Sequence, residues 1–384
     1  LLPFLRAARQ GGHDTLVVGP PGLREAVEGA GFGFHPGGEP PEDEVAAIRE
    51  RLPTAPPGVA SVLGNRELFG RMATAAMLPA MEEVCGAWGP DVILREPCEY
   101  ASAVVAHRTG IRSAQVAISL AQAEAASITV AEPALEAHGR GLVDALRGAP
   151  YLSSFPASLD PSPFPATVRF RDEAAPGATA PGALGAAGPP LPAGAPEVPV
   201  VYMTFGTVLG YMSMAAAVYR VALRAVDGLA VRCLLTVGRR FDREALGPVP
   251  DNVHVETWVD QADVLPLADV VLCHGGSGTA FGAVGAGVPV VAVPLFADQF
   301  ENGRRIAAAG AGLVVEAGPG ADGSRRPLAE DDAPRIAAGI ETVLADPSFR
   351  RRARALAAEM GAAPGAGSVL GALVDGALGR DGAP

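Results

Sequence analysis

From residue 200 onward the chain repeats one pattern, a short run of aliphatic residues followed by a longer stretch of helical character. The runs Val200 to Thr204, Arg232 to Val237, His254 to Thr257, Val270 to Cys273, Val290 to Val293 and Leu313 to Val315 read as strands, with helices filling most of the intervals. That alternation restricts the fold to the α/β class, a doubly wound parallel sheet whose ligands sit at the carboxyl ends of the strands. Functional residues are therefore expected directly after strands.

The first half follows the same rule less regularly. LLPFLRAARQGGH is apolar at helical spacing and is stopped by Gly11 and Gly12, after which Thr15 to Gly19 reads as a strand. Asp91 to Arg95 is a buried-type strand, Tyr100 to Arg108 a small-residue helix, and Ser113 to Ile118 another strand. A domain of this kind normally opens on a strand, so the helical opening predicts a leading segment, with the first strand, ahead of Leu1. Asp172 to Pro199 is too rich in Pro and Gly for regular structure and suits a linker. The expected division is a Rossmann-like domain over 1–171, a linker over 172–199 and a second Rossmann-like domain over 200–384. With 384 residues exceeding what one core usually serves, two such domains facing a cleft are expected.

Charge and cysteine usage exclude several classes of function. The formal net charge is −12 and every basic residue is Arg, with no long basic patch, which argues against a nucleic-acid partner. Cys85, Cys98, Cys233 and Cys273 show no paired spacing, so neither a disulfide framework nor a zinc site is indicated. No apolar run reaches the roughly 20 residues of a membrane span. A cytoplasmic protein without a membrane partner is expected.

The chemistry concentrates at HGGSGT, His274 to Thr279. The run follows the strand DVVLC directly, and Gly275, Gly276 and Gly278 let the backbone turn sharply into a helix beginning near Ser277. The free N–H groups and the positive end of the helix suit an anion, with hydroxyls available from Ser277 and Thr279. Taken alone, such a turn serves equally as a plain connection, and His274 as a core residue. Further landmarks stand at fixed distances from it: Trp258, Val259 and Gln261 before, and Asp298 and Gln299, in PLFADQFENG, after.

With those landmarks, the stretch from Trp258 to Asn302 resembles the donor signature of family 1 glycosyltransferases of the GT-B fold. The likeness is greatest to actinobacterial enzymes that decorate natural products such as antibiotics. Asp260 stands where that family commonly has proline. The resemblance implies that Trp258 stacks on the nucleobase and the Val259 backbone pairs with its edge, that HGGSGT holds the diphosphate, and that Asp298 and Gln299 bind hydroxyls of the transferred sugar. Thr207, closing YMTFGT, resembles the family's phosphate-side hydroxyl, though a helix N-cap is an equal reading. Without the resemblance, Trp258 is also a candidate core residue and Asp298 with Gln299 a polar loop. Plant-type members carry Glu eight residues past the motif's His, where this chain has Gly282. A donor lacking the 2′-hydroxyl loses little there, so a thymidine diphosphate sugar is expected over a uridine one.

The implied reaction is displacement at the anomeric carbon, with inversion, by an acceptor of hydrophobic natural-product type. No Asp-x-Asp stands at a strand end, so neither metal nor other cofactor is expected. The family's base is a His in the loop after the first strand, which by this reading falls before Leu1. Glu96, ending DVILR, is the candidate carboxylate that orients it; Glu99 competes, and a solvated strand-end charge is the alternative. His13 has the position of a structural residue, and His35, His107 and His138 lack a partner pattern. Phe69, Met72, Met77 and Met81 could line an acceptor pocket or simply pack, with a loop-rich Ser119 to Ala137 completing it. A homodimer is compatible with the sequence. Two other readings stand beside the transferase: a nucleotide-sugar epimerase, for which only Glu96 and Glu99 speak, and a catalytically silent nucleotide-binding partner of another transferase.

Overall fold

The computed structural model describes residues 1–52, 55–173, 190–192, 194–195, 197–318 and 326–378. Most of the expected linker over 172–199 lies outside the described residues. The chain forms two compact units, Leu1–Asp172 together with the segment from Ala363 onward, and Glu173–Ala362.

The second unit carries six strands: β7 Val200–Thr204, β8 Arg232–Thr236, β9 Val253–Glu256, β10 Val270–Cys273, β11 Val290–Ala292 and β12 Gly312–Val314. All pair in parallel in the order β12-β11-β10-β7-β8-β9. The chain therefore winds outward from β7 in one direction and from β10 in the other, which places the topological switch point between those two strands. Both faces are covered, so β7 and β10 are buried at every residue and read as unbroken apolar runs rather than alternating ones. Helices Ala215–Val226 and Ala333–Ala345 bury Val218, Tyr219, Ile336 and Ile340 against Val201, Met203, Leu235 and Leu272.

In the first unit, β3 Val92–Arg95, β4 Arg112–Val116, β5 Tyr151–Ser153 and β6 Thr167–Arg169 form a four-stranded parallel sheet; β1 Leu16–Gly19 and β2 Gly33–Pro36 form a separate parallel pair. The short strands β2, β5 and β6 carry no sequence pattern that announced them. The helix Ala121–Leu135 occupies the stretch expected to be loop, its Ala-rich first turns favouring helix and Pro133 sitting in its last turn. Met72, Met77 and Met81 are buried in local cores beside Leu63, Cys85 and Ile93, the packing alternative of the two, while Phe69 is exposed.

The end of the chain departs from the expected domain over 200–384. Arg171 pairs with Gly365, its N–H donating to the Pro364 carbonyl at 2.9 Å, and the helix Ala366–Val374 then packs on Leu2–Gln10. Val369, Leu370 and Leu373 share one apolar cluster with Phe4, Ala7, Phe170 and Leu152. Among the described residues no helix is long and apolar enough to cross a membrane.

Candidate active site

The order of strands lays the candidate residues out along one sheet edge. Passing from β11 through β10, β7 and β8 to β9, the segments after the strands carry Asp298 and Gln299, then HGGSGT, Thr207, the pair Arg239 and Arg240, and Trp258. HGGSGT and Thr207 thus follow the two strands that flank the switch point.

At that point the backbone is shaped by glycine. Gly275 has φ +83°, and a Cβ there would come within 2.7 Å of the Gln299 carbonyl oxygen, so the loops after β10 and β11 touch only because no side chain intervenes. Cβ atoms at Gly276 and Gly206 would lie 2.4 Å and 2.9 Å from the His274 Nε2. The imidazole is wedged between two glycine backbones. Its Nδ1 is buried without a hydrogen bond, and burial lowers the pKa to about 4 against the opposing charge of Asp298. At neutral pH His274 is therefore uncharged, with one N–H to donate.

The helix Ser277–Gly285 starts from Gly276 without a side-chain cap, which leaves its first N–H groups directed out of the turn. Both of its hydroxyls have partners within the protein. Ser277 Oγ donates to Asp298 Oδ2 at 3.1 Å, and Thr279 Oγ1, buried, accepts from Gln261 Nε2 at 3.0 Å. Asn302, fully buried, joins the two loops: its Nδ2 lies 3.0 Å from the Gly275 carbonyl, from Ser277 Oγ and from Asp298 Oδ2. Asn302 was not singled out as a site residue; its place one helical turn beyond Asp298 was the available signal.

Gln299 serves the same loop. Its Oε1 accepts from the N–H groups of Leu295 and Phe296 at 2.9 and 3.0 Å, so only its amide nitrogen is left for another partner. Between them Ala297 adopts φ +55°, a left-handed conformation that costs a non-glycine residue about 1 kcal/mol or more. The strain is held where Asp298 leaves the loop to begin the helix Gln299–Ala308.

At the other end of the edge, Trp258 is 49% exposed, which removes the core reading, and the Arg239 guanidinium lies 5.0 Å from its ring centroid. Val259 is buried beside it, and Asp260 caps the helix Gln261–Val264 by accepting from the Ala262 N–H at 2.9 Å. A Cβ at Gly282 would meet Gln261 Oε1 at 3.4 Å, an ordinary contact. Thr207 is exposed in the short helix Gly206–Leu209, whose N-cap is Phe205; Thr207 is not the N-cap.

In the first unit Glu96 follows β3, accepts from the Cys98 N–H at 3.0 Å, and has its pKa raised by burial. Glu99 instead caps a helix, its carboxylate accepting from the Ser102 N–H at 3.2 Å. The buried Arg95 beneath them donates to the carbonyls of Glu96, Pro97 and Glu99 and to Gln115 Oε1 at 2.7 Å. Glu124, missed in the sequence, is 4% exposed after β4. Its Oε1 accepts from the N–H groups of Ile118 and Ser119, and burial pushes its pKa up to about 7. Among the described residues no group of three or more His, Cys, Asp or Glu could hold a metal ion.

A doubly wound parallel sheet with a glycine-shaped turn at its switch point, together with a second α/β unit, is the architecture of GT-B proteins. Comparison with known proteins agrees at the level of fold. A spinosyn rhamnosyltransferase, solved also with thymidine diphosphate and with spinosyn aglycone, superposes with a TM-score of 0.74 at 24% identity, over 97% of this chain and 95% of that one. The calicheamicin glycosyltransferase CalG4 gives 0.74 at 21% identity over 100% and 95%.

Sequence relatives then fix the family. Residues 6–149 and 225–375 match the N-terminal and C-terminal domains of the family described as erythromycin biosynthesis protein CIII-like. The L-demethylnoviosyl transferase of Streptomyces niveus is 31% identical over 367 residues, 94% of this chain and 89% of that protein. The elloramycin glycosyltransferase of Streptomyces olivaceus is 30% identical over 399 residues, 97% and 92%. The chain belongs to this erythromycin-CIII-like family of natural-product glycosyltransferases, enzymes that take sugars from nucleotide donors.

Proposed function

We propose that the enzyme transfers a deoxysugar from thymidine diphosphate to a hydrophobic natural-product aglycone, with inversion at the anomeric carbon and without a metal. The observation that carries this reading is the ordered set along one sheet edge: Asp298 at the sugar end, HGGSGT with a neutral His274 at the centre, and exposed Trp258 at the base end. The spinosyn rhamnosyltransferase and a glycosyltransferase of Streptomyces sp. SF2575 were each solved with thymidine diphosphate, which supports that nucleotide. So does Gly282, which offers no carboxylate to a 2′-hydroxyl.

In this reading the thymine stacks on Trp258 and pairs with the Val259 backbone, while Gln261 and Thr279 shape the helix face beside the deoxyribose. The N–H groups of residues 277–279, the His274 N–H and the Thr207 hydroxyl hold the diphosphate. Asp298, fixed by Ser277 and Asn302, accepts from sugar hydroxyls, and the Gln299 amide donates to them. The acceptor oxygen attacks the anomeric carbon opposite the nucleotide; its bond forms as the bond to the β-phosphate oxygen breaks. The charge that develops on the departing phosphate meets donors already aimed at it. The acceptor's proton passes to a base that Glu96 orients, a positioning role suited to a half-buried carboxylate at a strand end.

Mass spectrometry of reactions with a panel of thymidine diphosphate sugars and polycyclic acceptors tests the transfer, with the anomeric coupling constant of the product reporting inversion. Activity retained in EDTA is expected. Calorimetry showing tighter binding of UDP than of dTDP would overturn the donor assignment.

A further inference from the structure

The diphosphate cradle contains no cation. His274 is neutral at pH 7, Asp298 adds a negative charge, and the chain has no lysine to reach in from elsewhere. A nucleoside diphosphate brings at least two negative charges to this edge, and backbone N–H groups and a helix terminus offset only part of them. The arginines of the neighbouring helix Gln299–Ala308 are already committed, Arg304 to Glu316 at 2.7 Å and Arg305 to Glu301 at 2.8 Å.

Two guanidinium groups on the same edge are not committed. Arg239 and Arg240 follow β8, both are exposed, and among the described residues neither has a carboxylate within ion-pair distance. Each rests instead on an aromatic ring, Arg239 over Trp258 at 5.0 Å and Arg240 over Tyr211 at 5.1 Å. Tyr211 is 64% exposed, so neither ring is part of a core that would explain the stacking.

The turn that presents them is anchored at both ends. Gly238, at φ +86°, donates its N–H to the Thr257 carbonyl at 2.9 Å, next to Trp258. Phe241 packs edge-on against the buried Tyr219, with ring centroids 4.7 Å apart, and lies against Gly210. Only the two arginines between these anchors project. In the strand order β10-β7-β8-β9 their turn falls between the diphosphate cradle and Trp258. Rings hold a guanidinium in place while leaving its N–H fork free, unlike a carboxylate partner, which would consume it.

From this geometry we infer that Arg239 and Arg240 form a cationic clamp on the diphosphate of the nucleotide donor, pre-positioned by Trp258 and Tyr211. The inference rests on the donor reading above and adds to it the positive charge that the cradle lacks. It assigns the two rings different duties: Trp258 serves base and Arg239 together, whereas Tyr211 serves Arg240 alone.

Calorimetric titration of the full chain with dTDP, dTMP and thymidine tests it. Charge-assisted hydrogen bonds of this kind are worth about tenfold in affinity or more. The Arg239→Ala/Arg240→Ala protein is expected to bind dTDP at least about tenfold more weakly at low salt, while thymidine binding stays within about twofold. Its dTDP affinity also becomes less sensitive to salt. The Arg239→Lys/Arg240→Lys protein recovers part of the loss, because charge returns without the fork. Equal weakening of dTDP and thymidine would assign the arginines to Trp258 alone and overturn the clamp, as would an unchanged dTDP affinity. If the unaltered protein binds none of the three ligands, the donor reading fails and the clamp with it; if it binds dTDP and the variants match it, the clamp alone fails. Both side chains are exposed, so unchanged melting of the variants is expected and separates a binding effect from misfolding.

Discussion

His274 and Glu124 are both titratable, each with a buried polar atom, and their environments push them in opposite directions. The lowered His274 pKa, about 4 against 6.5, means that the folded protein resists protonation there. Its contribution to stability is present above pH 6.5 and is lost as pH falls toward 4. The raised Glu124 pKa, about 7 against 4.5, means that folding favours the protonated acid, a contribution present below pH 4.5 and lost as pH rises through 7. Glu124→Gln should therefore be more stable than the unaltered protein at pH 8, with the gap closing at pH 5; denaturant midpoints at the two values decide, and an equal gap at both would exclude the raised pKa. His274→Ala should lower kcat/KM by about a hundredfold through loss of a leaving-group donor. It should also flatten the loss of stability between pH 6.5 and 4, which thermal melts would record. Because the imidazole is already neutral at pH 6, no His274 limb is expected in the pH–rate profile between 6 and 8.

At the scale of elements, the loops after β10 and β11 act as one unit because Asn302 ties them, its Nδ2 reaching Gly275, Ser277 and Asp298. Asn302→Ala leaves a buried carbonyl and a carboxylate without that donor, a loss of about 1–3 kcal/mol in stability. Since Asp298 then loses one of the donors that hold it, KM for the sugar donor should rise while the affinity for free dTDP changes little; parallel loss of both would mean that Asn302 supports only the cradle. Strands β7 and β10 were legible to the residue in the sequence, because each is an apolar run bounded by a breaker, Pro199 before β7 and the HGG turn after β10. β5 and β6 are three residues long, too short to show a period. The helix Ala121–Leu135 was hidden by its alanines, which favour helix yet mark no face. Asp298, His274 and Trp258 stood out through spacing, whereas Asn302, Arg239 and Glu124 acquire meaning only from partners brought near by the fold.

At the scale of the whole molecule, the chain leaves the first unit near Asp172, builds the second, and returns at Ala363. No local signal announced the return, since an apolar helix such as Ala366–Val374 could have packed on either unit. Its partners determine which unit it stabilises. Leu373 is 2% exposed in the cluster with Phe4, Ala7 and Leu152, and no residue of the second unit belongs to that cluster. Leu373→Ala should thus cost about 2–5 kcal/mol in the first unit. The donor residues, all drawn from Thr207 to Gln299, lie in the second unit. The variant should therefore melt earlier and lose transferase activity on warming before it loses dTDP binding, as followed by calorimetry. Nucleotide affinity falling in step with the melting of the first unit would instead show that the two units fold as one cooperative body, and that the returning helix stabilises the donor site as well as the sheet it covers.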